Sequence, residues 1–241
     1  MKTFFNGPLW NLYKRELAFY FNAPTAYVVM VVFLLIAGYL FAIPLFLVNQ
    51  STLAGFLDTA PLLLTFLAPA VTMRLFAEEF KSGTAELLFA LPAREWEIIA
   101  AKLAAALTIF ALTLAFTLVY PAILLMLGDL DKGALACGYL GLFMTGLLLC
   151  SAGLFASALT KSQVTAFITG FLAAFVFFMA GKLTPYVPAP LAPVADFIGF
   201  EAHLENMARG VLDTRDLLYY FSVSALFLFL TRLKLQTMKA D

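Results

Sequence analysis

A single run of twenty residues, MRLFAEEFKSGTAELLFALP at 73–92, carries Arg74, Glu78, Glu79, Lys81 and Glu86, and Arg94 follows two residues on. The chemistry open to this run is narrow. No HExxH motif supplies a zinc pair with a general base. The one Gly-Lys pair, Gly181-Lys182, has Val176 where a phosphate-binding loop needs its first glycine and Leu183 where it needs Ser or Thr, so the chain binds no nucleotide by that route. Serines are few, and none has a histidine nearby to activate it. His203 is the sole histidine, with no cysteine near enough to share a metal. No catalytic residue and no metal ligand set is expected. What remains for the charged run is ion pairing. Glu78 and Glu79 read as contacts to a basic surface, or else the run is a solvated loop between two apolar segments.

The rest of the chain explains why such a run stands out. Of its 241 residues 63% are hydrophobic and 12% charged, against about 45–50% and about 25% in soluble domains. That leaves too little polar surface to coat a soluble particle, and the class is integral membrane protein. Formal net charge is zero, which gives a nucleic-acid partner no electrostatic support. The opening MKTFFNGPLWNLYKRE lacks the apolar core and cleavage site of a signal peptide. Cys137 and Cys150 lie in one apolar run. On one helix they stand roughly 20 Å apart, beyond the reach of about 7 Å for a disulfide.

Six stretches are long and apolar enough to span a bilayer: 25–48, 59–74, 97–127, 134–159, 164–182 and 215–232. They are apolar on all sides, which suits helices whose backbone groups bond internally and does not suit the alternation of a strand barrel. None carries a charge near its centre, which argues against a proton-coupled pump. With the N-terminus in the cytosol, eleven of the fifteen Lys and Arg residues fall inside; Lys132, Lys182, Arg209 and Arg215 fall outside. Both termini and the charged loop are therefore expected in the cytosol, the chain crossing the inner (cytoplasmic) membrane several times.

Three pieces lie between or before the spans. Residues 8–22 set Leu9, Leu12, Tyr13, Leu17, Tyr20 and Phe21 against Asn11, Lys14, Arg15, Ala18 and Asn22, the pattern of an amphipathic helix in the membrane interface. It is either an anchor in the lipid or a surface for a cytosolic partner. Residues 183–214 form the largest external segment. Pro185, Pro188, Pro190 and Pro193 exclude a helix at its start, an apolar stripe then predicts one over 197–209, Gly210 ends it and Asp213 caps the last span. Ala134, Gly138, Gly141, Thr145, Ala152 and Ala156 stripe the fourth span, and Ala166, Gly170 and Ala173 the fifth, as close-packing faces. The third piece is the loop at 75–96. Residues 75–82 continue the second span as a charged helix, Gly83 terminates it, and Thr84 caps a second short helix with Glu86 in its first turn. Leu87, Leu88, Phe89 and Leu91 give that helix an apolar knob before Pro92.

The run at 73–92 resembles the cytosolic loop of the type-2 ABC exporter permeases: Met-Arg-x-Phe/Leu, a Glu pair, Gly-Thr, then Glu-Leu-Leu and Pro, with a Lys in the next span, here Lys102. The blocks GLFASALTKSQVTAF and HLENMARGVLDTRDLLYYFSVSALFLFLT are similar to the gliding-motility-associated branch of that family, and the resemblance covers nearly the whole chain. It implies one transmembrane permease domain over 1–241, all-α, with six transmembrane helices, the interfacial helix at 8–22 and a cytosolic coupling loop. It also implies that Arg74, Glu78, Glu79, Gly83, Thr84 and Glu86 couple the spans to a separate P-loop ATPase subunit, which binds ATP and Mg; this chain needs no cofactor and is no enzyme. A second permease copy, or a related membrane subunit with a large external domain, would complete the assembly within the lipid. The rival expectation is a scaffold or force-transmitting subunit that moves no solute. Few polar residues occur in spans three and five, chiefly Thr108, Thr113, Thr117, Thr165 and Thr169, which leans towards an apolar or amphiphilic cargo.

Overall fold

The computed structural model describes residues 8–47, 54–86, 93–127, 131–186, 188 and 192–240. Among them the order is α1 (Pro8–Asn22), α2 (Pro24–Leu47), α3 (Ala54–Thr72), α4 (Ala77–Ser82), α5 (Glu95–Thr117), α6 (Val119–Leu127), α7 (Lys132–Ala158), α8 (Gln163–Lys182), a 3-10 turn (Thr184–Tyr186), α9 (Ala192–Ile198), α10 (Phe200–Ala208) and α11 (Thr214–Ala240). Six stretches have the length and apolarity to cross a membrane: Pro24–Ile43, Gly55–Ser82, Glu95–Met126, Lys132–Ala158, Gln163–Lys182 and Thr214–Lys239. They overlie the six expected spans. Six crossings place α1, the loop around α4 and the end of α11 on one face, here the loop face, and α9 and α10 on the far face.

The centre of the bundle is α7, and its small residues explain why. A side chain at Gly138 would meet Leu57 of α3, one at Gly141 would meet Leu204 and Met207 of α10, and one at Gly153 would meet Thr72 of α3. The stripe expected on the fourth span is thus a seam that admits two neighbouring helices. In contrast α2 and α8 leave open faces: Val28, Val31, Leu35 and Tyr39 on one, Val164, Ile168, Leu172 and Val176 on the other. Apolar faces of this length are costly in water and ordinary in a bilayer.

Three expected elements differ from those observed. The third span is not continuous, since α5 ends at Thr117 and α6 starts at Val119. Pro121 has no N–H to give the carbonyl four residues back, and the hydroxyl of Tyr139 donates to that Thr117 carbonyl instead, at 3.0 Å. The single helix expected over 197–209 is two, and the break falls at Gly199. A Cβ there would lie 2.3 Å from the backbone nitrogen of Gly181, so the chain turns where α8 and the far-face helices touch through backbone. Pro193 sits inside α9 at its second position, where its missing N–H costs nothing. Lastly, the second span does not run straight into the charged helix: a turn over 73–76 separates α3 from α4. Gly210 adopts φ 85° after α10, and Asp213 accepts from Arg215 N at 2.9 Å, both as expected.

Candidate functional site: the charged loop and its buried base

Of the six candidate residues, Arg74 and Glu79 turn inward. The cause lies in α1. Leu12, Glu16 and Tyr20 recur every fourth residue and are all buried, so this helix carries a carboxylate on its packed face. Lys102, two turns into α5 and 2% exposed, answers it. Its ammonium lies 3.0 Å from Glu16 Oε1 and 3.0 Å from Glu79 Oε1, and donates to the Leu75 carbonyl at 2.7 Å. Three donors meet three acceptors, and the Phe76 ring lies 5.1 Å away. One cation thus holds two carboxylates, and Glu79 Oε2 stays buried with no partner. Glu79 was expected to face a basic surface elsewhere; it faces a lysine of its own chain.

Arg74, 8% exposed, makes the second link. Its Nη1 donates to Thr25 Oγ1 at 3.2 Å and its Nη2 to the Phe19 carbonyl at 3.3 Å, while the guanidinium stacks 3.9 Å from the Phe19 ring. Glu78 lies 3.9 Å from its Nε. Beside it, Tyr20 donates to the Val71 carbonyl at 2.7 Å. Burial pushes that phenol well above its usual range, against the opposing charge of Arg74, so it remains a donor. The third link is Ser157, near the end of α7. Its hydroxyl accepts from Phe76 N at 3.0 Å and Ala77 N at 3.1 Å, and donates to Met73 O at 2.9 Å. That satisfies the N–H groups of Phe76 and Ala77 and the carbonyl of Met73, where the chain passes from α3 to α4.

The other candidates form the outer edge. Gly83 ends α4 at φ 72°, Ser82 Oγ and Thr84 Oγ1 are 2.9 Å apart, and residues 85–86 are helical again. Gly83 and Glu86 are exposed; Glu78 and Thr84 are partly so. The apolar knob at Leu87, Leu88, Phe89 and Leu91 lies outside the described residues. A cleft of about 480 Å³ opens between α1 and α4, with Arg15, Glu16, Glu78, Glu79 and Thr84 in its walls. The loop returns at Arg94, whose N–H meets the Glu97 carboxylate at 2.8 Å.

Sequence reasoning missed Glu16, Ser157 and the partner of Glu79. Glu16 had a signal: a carboxylate on the buried stripe of an amphipathic helix needs a cation. Ser157 had none, because a serine among small residues reads as packing. Phe21, placed on the apolar face, is exposed. On the far face His203 is held by Asp216 at 2.7 Å, and no group of three His, Cys, Asp or Glu side chains is placed to hold a metal among the described residues.

A family model described as "ABC-2 family transporter protein" matches residues 46–238, which takes in the charged loop and the helices from α3 through all but the last two residues of α11. A comparison with curated proteins gives no match.

Proposed function

This chain belongs to the ABC-2 transporter family, and from that premise we propose that it is the permease subunit of an ATP-driven exporter, with 1–241 as one permease domain. Permeases of this family are multi-pass membrane subunits that normally work with a P-loop ATPase. In our reading ATP and Mg bind in that partner, and the loop at 73–92 is its docking element. Arg74 and Glu79 form the stiff base of the loop; Glu78, Gly83, Thr84 and Glu86 form the edge that meets the ATPase.

The observation that carries the reading is the buried base. Lys102, Arg74 and Ser157 tie the turn at 73–77 to α1, α5 and α7 at once. A solvated loop needs no such anchoring. A loop that must pass a push from outside into several spans does, because interfaces move as rigid bodies. The charge distribution supports cytosolic termini and an inner-membrane location. The gliding-motility-like blocks support that branch, with a second copy or a related membrane subunit beside the open faces of α2 and α8. Thr108, Thr113 and Thr117 donate to carbonyls of their own helix, which fits an apolar or amphiphilic cargo.

The test is gentle solubilisation of the tagged chain from its native membrane and identification of what co-purifies. A stoichiometric P-loop ATPase, lost on the paired change Glu78→Lys/Glu86→Lys, is the expected result. Purification with no ATPase under several mild detergents would leave a scaffold or force-transmitting subunit as the better description.

A further inference from the structure

Beyond the docking edge, the loop has a second attachment where it re-enters the bundle. Glu95 opens α5, directly after the loop. Its Oε2 accepts from Arg232 Nε at 3.1 Å and from Gln236 Nε2 at 2.9 Å, both on α11. The Arg232 guanidinium also lies 5.2 Å from the ring of Trp96, the next residue of α5. Two donors one helical turn apart grip one carboxylate, which fixes the loop end of α11 in rotation as well as in height.

The same helix is gripped at its far end. Asp216, in its first turn, meets His203 at 2.7 Å and accepts from Asn206 at 3.4 Å. Tyr219 donates to the Ile198 carbonyl, and Tyr220 to the Phe200 carbonyl at 3.2 Å. The imidazole of His203 stacks on Tyr219 with ring centres 4.0 Å apart. Both far-face helices, α9 and α10, thus hang on the first two turns of α11.

The helix between these grips is unbroken. Its 27 residues contain neither Gly nor Pro, and span about 40 Å at about 1.5 Å per residue. Sharp kinks fall at Pro or Gly, and the other five spans all contain one: Gly38 in the first, Pro61 and Pro69 in the second, Pro121 in the third, five glycines in the fourth, Gly170 in the fifth. We propose that α11 is a rigid rod by which the loop, through Glu95 as a positioning residue, sets the placement of the far-face helices α9 and α10. Its use in transport rests on the docking reading above; the mechanical link itself does not.

His203 is the only histidine of the chain, so the full-length protein labelled with 13C-histidine in lipid nanodiscs gives one ring signal from the far face. Charge reversal at the opposite end, Glu95→Arg, is expected to displace or split that signal, and the swap Glu95→Arg/Arg232→Glu to restore it, which is the mark of a coupled pair. Glu86→Arg, exposed and outside the grip, is the control and leaves the signal in place. Should Glu95→Arg not insert, Gln236→Ala removes one donor only and is read in the same way. A His203 signal unmoved by loss of the grip, or a displaced signal that the swap does not restore, overturns the rod. No ATPase enters this experiment. A silent His203 therefore leaves docking intact, and a missing ATPase leaves the rod intact.

Discussion

Lys102 is the side chain on which the base of the loop depends. A buried ion pair is weak evidence of stability, yet removing one partner strands the other. Here two carboxylates would be stranded together. Lys102→Met is therefore expected to destabilise the detergent-purified chain by about 3–5 kcal/mol, the range for breaking a buried pair, read as a drop in its unfolding midpoint. Ser157→Ala tests the neighbouring link. It leaves the N–H groups of Phe76 and Ala77 buried without an acceptor, at about 1–3 kcal/mol each. Amide exchange at 76 and 77 should then accelerate while exchange in mid α7 stays unchanged; equal acceleration in both would mean the serine supports the whole helix and not the turn.

Among the elements, two turns decide how the loop and the far face are built. Gly83 sits at φ 72° with nothing within 4 Å of a built Cβ, so the cost of Gly83→Ala is backbone strain alone, about 1–2 kcal/mol for an L-residue in that region. Insertion should hold, the unfolding midpoint should fall by about 2–4 °C per kcal/mol, protease sensitivity between α4 and α5 should rise, and Gly83→Asn should recover most of the loss. Gly199 is the opposite case, since an added Cβ meets the Gly181 backbone. Gly199→Ala should push α9 and α10 away from α8, seen as altered His203 resonance with α4 protease sensitivity unchanged. The continuous helix expected over 197–209 failed for this reason. Its apolar periodicity was real, but the contact that splits it comes from a residue eighteen positions earlier.

For the whole molecule, the base and the edge of the loop should separate in experiment. Exposed substitutions away from special features usually change stability within about ±0.5 kcal/mol. Glu86→Lys should accordingly weaken ATPase co-purification, more so at high ionic strength where exposed charges are screened, and leave the unfolding midpoint alone. Glu79→Lys should lower both, because it sets two buried ammonium groups face to face. Equal effects of the two variants on stability would erase the distinction between edge and base.

Membrane class, the number of spans, the helical fold and the position of the loop were all legible in the sequence, because each follows from composition or from local periodicity. So were the ends set by Gly83, Gly210 and Asp213, where one residue's backbone preference or side chain decides. Tertiary structure alone decided which charges of the loop face outward. Glu78 and Glu79 are neighbours of one type, and nothing local separates them; the difference is Lys102, 23 positions on, and Glu16, 63 positions back. The same holds for Glu95, whose partners Arg232 and Gln236 lie at the other end of the chain. A buried charge is defined by what desolvates and neutralises it, and in this bundle those groups are brought together only when the helices pack.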